Sequence, residues 1–160
     1  MFERIEKALF AIRSVILNDE EIRKLIYNTE FNPLAGELPS IEDTLPYVTM
    51  KPFLTFDNEE GYTRNVELNI YVALGSSEDD VASAAVRINI VVNRDKWEIK
   101  DAIRPLRIAD KIVDLLDMET HVTSNPLIFH SVTELVIDDK LAGYSVLFDI
   151  ADGIATINKF

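Results

Sequence analysis

Tyr62-Thr63-Arg64-Asn65-Val66-Glu67-Leu68-Asn69-Ile70-Tyr71-Val72-Ala73-Leu74 alternates apolar and polar side chains, with Arg64 the one break in the apolar set. Neighbouring side chains on a strand point to opposite faces. A period of two therefore predicts a strand with one core face and one polar face.

The same pattern continues outward in both directions. After the turn Gly75-Ser76-Ser77-Glu78-Asp79-Asp80, residues Val86, Ile88, Ile90 and Val92 alternate with Arg87, Asn89 and Asn93. Upstream, across the turn Asp57-Asn58-Glu59-Glu60-Gly61, the stretch Tyr47–Phe56 puts Val48, Met50, Leu54 and Phe56 on one face. Pro52 has no N–H for a ladder, which assigns that strand to an edge or a bulge. Three strands joined by short turns predict an antiparallel meander.

One face of such a sheet must be covered, and the helices are the available material. Ile5, Leu9, Ile12 and Ile16 recur at helical spacing in the first helix, which ends near Asn18-Asp19. Asp19 can cap a short second helix that buries Ile22, Leu25 and Ile26, with Glu20 and Glu21 at its positive end. Pro33, Gly36, Pro39 and Pro46 mark residues 29–46 as an extended loop with few regular hydrogen bonds, a length typical of functional or assembly arms. A third helix is expected from Arg104 to Leu116, with Pro105 in its first turn and Leu106, Ile108, Ala109, Ile112, Val113, Leu115 and Leu116 buried. Leu127–Ile137 and Ala142–Ile150 form a hairpin about Asp138-Asp139-Lys140. The expected class is α+β. A mainly antiparallel sheet of about five strands, meander plus C-terminal hairpin, is packed by an N-terminal helix pair and one central helix. Residues 1–160 read as a single domain, with residues 151–160 as a candidate mobile tail.

Composition narrows the function. The 160 residues contain no cysteine, which excludes disulfides and thiolate metal sites and fits a reducing cytoplasm. No apolar run approaches the roughly 20 residues that span a bilayer, and the mixed charges of Met1–Lys7 read as helix rather than signal peptide. The net charge is −12, unevenly spread. Residues 1–80 hold 16 acids and 7 bases, and residues 81–160 hold 12 and 9. Phosphate-dominated binding needs lysine and arginine, so nucleic-acid recognition is disfavoured. From Arg87 to Lys111 the sign reverses, with seven bases against four acids. This is either a solvated face with ordinary ion pairs or a basic edge that meets an acidic edge of a neighbouring subunit.

Catalytic and metal chemistry find little support. The histidines are His121 and His130. Ser131 follows His130, but strand neighbours are expected on opposite faces, which argues against a dyad. The carboxylate groups Asp57/Glu59/Glu60, Glu78/Asp79/Asp80 and Asp149/Asp152 read as turn chemistry. A calcium loop opening at Asp57 would need a bidentate Glu at its twelfth position, where Leu68 stands. The five glycines are scattered singly, so no phosphate-cradling loop is present. Trp97 reads as a cap on the core edge. No enzyme activity, cofactor or metal is expected.

Ile88–Trp97 followed by Ile103-Arg104-Pro105-Leu106-Arg107-Ile108-Ala109-Asp110-Lys111-Ile112 resembles the tail-terminator and head–tail completion (neck) proteins of tailed bacteriophages. The Asn32-Pro33-Leu34 loop after two helices and the closing strand Leu141–Asp149 are similar in order and spacing. These motifs record core alternation and helix starts rather than a chemical site. The resemblance implies a virion protein, made in the host cytoplasm, that forms a homo-oligomeric ring, usually a hexamer. Such a ring closes the tail tube, docks to the head connector and passes DNA without specific binding. On that reading Arg87, Arg94, Lys96, Arg104 and Arg107 are candidate interface residues. Asp57, Glu59, Glu60, Glu78, Asp79 and Asp80 are candidates for an acidic lumen or partner edge. Alternatives are another neck or head-completion protein, an acidic DNA-mimic inhibitor, and a small ligand-binding domain.

Overall fold

A computed structural model describes residues 2–52, 65–76, 82–118 and 126–150. Helices α1 (Phe2–Asn18) and α2 (Glu20–Tyr27) open the chain. The short helix α3 (Ile41–Thr44), flanked by 3-10 turns at Pro33–Ala35 and Leu45–Tyr47, leads to β1 (Val48–Thr49). Strands β2 (Val66–Ser76) and β3 (Ala82–Asn93) follow, then a 3-10 turn at Arg94–Lys96 and the small hairpin β4 (Glu98–Ile99) and β5 (Ala102–Ile103). Helix α4 (Arg104–Leu116), β6 (Leu127–Val136) and β7 (Leu141–Ile150) complete the order.

The main sheet runs β1-β2-β3-β7-β6. The pairs β2–β3, β3–β7 and β6–β7 are antiparallel, as expected for an α+β protein. The first strand departs from the meander. β1 has only two residues and lies parallel to β2, with Val48 opposite Leu68 and Thr49 opposite Asn69. A parallel neighbour needs a crossover rather than a tight turn, and Pro52, three residues on, cannot extend a ladder. The expected face positions Leu54 and Phe56, and Tyr62, lie outside the described residues.

The apolar face of the sheet carries Leu68, Ile70, Val86, Ile88, Ile90, Val146 and Phe148, all essentially inaccessible to solvent. Ile12 and Ile16 of α1, Ile22 and Leu25 of α2, and Ile108, Ile112 and Leu116 of α4 close over it in one hydrophobic cluster. Each such side chain contributes about 1.5–3 kcal/mol through removal from water. Asp19 caps α2 as expected, its Oδ1 accepting from Ile22 N at 2.9 Å. In α4 the buried stripe is narrower than expected. Leu106 is exposed, because Pro105, Ile108, Ala109, Ile112 and Leu116 already define the face that meets the sheet.

Two arginines join the helices. Arg23 of α2 donates from Nη1 to Leu17 O at 2.8 Å and from Nε to Pro39 O at 3.0 Å. Arg104, the first residue of α4, donates to Leu25 O, to Asn28 O at 2.8 Å, to Lys96 O at 2.9 Å and to Glu30 O at 3.4 Å. Helix ends leave their last carbonyls without intrahelical donors, and here cationic forks supply them.

The second sheet face holds a polar row that crosses all five strands. Thr49, Asn69, Asn89, Ser145 and Thr133 lie directly opposite one another in register. Asn69 donates to Thr49 Oγ1 at 2.9 Å, and Arg87 donates to Ser145 Oγ at 2.8 Å. Alternation correctly marks this face as polar, yet Glu67, Asn69, Asn89 and Ser145 are buried.

Candidate assembly interface

The five candidate basic residues do not form one patch. Arg104 is 1% exposed and donates to four backbone carbonyls, so it serves the interior. Its pKa is lowered by burial, opposed by the charge of Glu30; arginine titrates so high that it stays charged. Arg107 lies 3.6 Å from Glu21, beside Lys111, which pairs with both Asp19 and Glu21. Arg87 sits on the polar sheet face. That leaves Arg94 and Lys96 together on the 3-10 turn, where Arg94 N donates to Lys140 O at 2.8 Å. The basic edge therefore shrinks to a corner of the sheet. The candidate acids Asp57, Glu59, Glu60, Glu78, Asp79 and Asp80 lie outside the described residues, as do His121 and Asp152.

The surface that stands out instead is β6. It is an edge strand, paired on one side by β7. Along its outer side, Asp117 and Met118 cover only the beginning. Asp117 bridges Leu127 in parallel, Met118 N donates to Leu127 O at 2.7 Å, and Asp117 Oδ1 accepts from Phe129 N at 2.8 Å. From Ser131 to Val136 no strand among the described residues covers the outer edge.

Val132 and Val136 there, and Ile128 and Phe129 before them, are apolar side chains in contact with solvent, with Thr133 and Glu134 exposed between the two valines. Val136 is 72% exposed, and Ile128, Phe129 and Val132 are each close to 40%. Phe129, Val132 and Val136 stand opposite Phe148, Val146 and Ala142 on the helix-covered face of the sheet. The helices pack on β2, β3 and β7, so β6 lies at the margin of their layer. A long edge strand with little charge is an aggregation hazard unless something pairs with it, and Glu134 is the single Asp, Glu, Lys or Arg in β6. Sequence reading missed this strip because alternation alone does not say which strand ends at an edge.

Next to it, a recess of about 320 Å³ is lined by Arg94, Trp97, Glu134, Val136, Ala142 and Tyr144, among others. Trp97 does cap the core edge, donating from Nε1 to Val92 O at 3.1 Å and Ala142 O at 3.3 Å. Its ring lies 5.8 Å from that of Tyr144.

The expectation that His130 and Ser131 point apart is overturned. A register shift between Phe129 and Ser131 leaves His130 as the extra residue of a bulge, and His130 Nδ1 comes within 3.0 Å of Ser131 Oγ. Bulges re-aim side chains, and this one undoes the strict alternation. Both residues are at the surface, and no acid is within hydrogen-bonding reach of the ring among the described contacts, so the pair is not a triad. Among the described residues, no group of three or more histidines and carboxylates is arranged to hold a metal ion, and no helix is long and apolar enough to cross a membrane.

The YomW family model matches residues 19–150, from the cap of α2 to the last residue of β7. The chain belongs to the YomW family. The YomW name is that of an SPbeta-type prophage family, so the protein is phage-associated. The matched span takes in both the arm between α2 and β1 and the exposed strand β6. No curated protein matches the chain.

Proposed function

We propose that this YomW-family protein is a structural subunit of a phage particle that works by assembling with copies of itself, as a ring that terminates the tail tube and joins it to the head connector. The observation that carries the reading is β6, whose outer edge from Ser131 to Val136 is open among the described residues while its apolar side chains face solvent. Unpaired strand edges are templates for protein association. Membership of a prophage family supports a place in a virion, and the resemblance to tail-terminator and neck proteins supports a place at the head–tail junction. A net charge of −12 suits a channel through which DNA slides without sticking.

Native mass, measured by light scattering and mass spectrometry across concentration, tests this. A discrete multimer of ring size is the expected outcome. A strict monomer at every concentration, even with tail-tube protein added, would refute self-assembly.

A further inference from the structure

A head-to-tail ring needs two different surfaces on each subunit, one for each neighbour. Strand β6 supplies one. The arm between α2 and β1 supplies the other. Leu38, Ile41 and Leu45 are each exposed to just over 40%, and Ile41 and Leu45 are one helical turn apart. The arm is not the loosely bonded loop that its prolines suggest. Arg23 holds Pro39 O, Asn28 Nδ2 donates to Pro33 O and Glu37 O, Lys24 Nζ donates to Leu34 O, and Ser40 Oγ caps α3 by accepting from Asp43 N. Thr44 is fully buried behind the ridge. An apolar ridge held in one conformation before binding loses little entropy on docking.

The sheet order places these surfaces at opposite edges, since the arm feeds β1 at one edge and β6 forms the other. Among the described residues the helical layer stops short of β6. A helix is roughly 10 Å across and strands are about 4.8 Å apart, so the helices over β2, β3 and β7 leave room for one more helical turn on β6. Resting on the reading of the protein as a self-assembling subunit, we propose that the arm of one copy seats Ile41 and Leu45 on Phe129, Val132 and Val136 of the next. The docked turn extends the neighbour's helical layer over β6. Arg94, exposed beside Val136, meets Glu42 and Asp43 of the incoming arm, which has four acids and no lysine or arginine from residue 28 to residue 50.

The absence of cysteine makes the contact directly testable. Ile41→Cys/Val136→Cys, oxidised and run without reductant, is expected to give a ladder of covalent multimers, whereas each single variant gives at most dimers. In parallel, Leu45→Asp and Val132→Asp should each reduce the native mass to monomer, and their equimolar mixture should recover a one-to-one dimer through the one intact interface. These sites are exposed, and circular dichroism checks that the variants fold. If wild type is multimeric but the double-cysteine variant forms no ladder, the arm is not the occupant and the assembly reading survives. Near-complete dimerisation of Val136→Cys alone would assign β6 to like-with-like pairing and overturn the proposal. A monomeric wild type with no ladder overturns both.

Discussion

Arg104 reaches back 79 residues to the carbonyl of Leu25 and ties the start of α4 to the end of α2. The same guanidinium serves Asn28, Glu30 and Lys96, so one side chain fixes the α2 terminus, the root of the arm and the turn before β4. Replacing it with methionine leaves several buried carbonyls without donors. Arg104→Met is expected to lose about 3–5 kcal/mol, read as a lower denaturation midpoint at unchanged slope. Arg104→Lys recovers only part of this, because an ammonium cannot reproduce the planar fork.

Gly143 of β7 faces Val91 in the centre of the sheet. A Cβ placed there would lie 1.7 Å from Ile90 O, a backbone atom that cannot turn away. Gly143→Ala therefore forces β3 and β7 apart and should cost about 3 kcal/mol or more. Thermal unfolding followed by the emission of Trp97, the sole tryptophan, measures it.

Asn89 is 1% exposed; among the described residues its Oδ1 accepts no hydrogen bond, and its Nδ2 makes only a long 3.5 Å contact with Tyr71. A buried polar atom without a partner costs about 1–3 kcal/mol. Asn89→Leu, which keeps the side chain's branching, should be neutral or stabilising by up to roughly 2 kcal/mol where the added methyl bulk is accommodated. A clear fall in melting temperature would mean that the amide has a use the folded subunit does not reveal.

Lys111 lies between Asp19 and Glu21 at 3.4 and 3.3 Å. Burial alone lowers its pKa, but hydrogen bonding to Glu21 and the charges of Asp19 and Glu21 outweigh this and raise it. A lysine whose folded pKa exceeds its unfolded value adds stability that is complete below the unfolded pKa, about 10.4. That stability is lost as pH climbs through the folded value. Lys111→Met should therefore cost about 0.5–1 kcal/mol at neutral pH and low salt. The difference from wild type should shrink in high salt and above the ordinary lysine range.

The parts of the fold that were legible in sequence are those set by local chemistry. Pro105 at its start and the spacing of Ile108, Ile112 and Leu116 define α4 to the residue, and Asp19 announces α2 by its cap. Asp138-Asp139-Lys140 marks the last hairpin, where Asp138 Oδ1 accepts from Lys140 N and Leu141 N. The parts not legible depend on partners distant in the chain. The parallel pairing of β1 with β2 is not written in its own two residues. Arg104 reads as a surface base until α2 and the turn at Lys96 close around it. The bulge at His130 lies in a strand whose composition looks regular. For the same reason the proposed contact between the arm and β6 joins segments that are remote in sequence and carry no shared motif.

Strand β7 sits between β3 and β6, although it is the last described strand to be synthesised. Until it has left the ribosome, β3 has an open side and β6 is held, among the described residues, only at its start by Asp117 and Met118. On the proposed assembly, a nascent or prematurely terminated chain thus displays no finished docking strand. If copies dock through β6 as proposed, chains broken off before residue 141 are left out of the assembly.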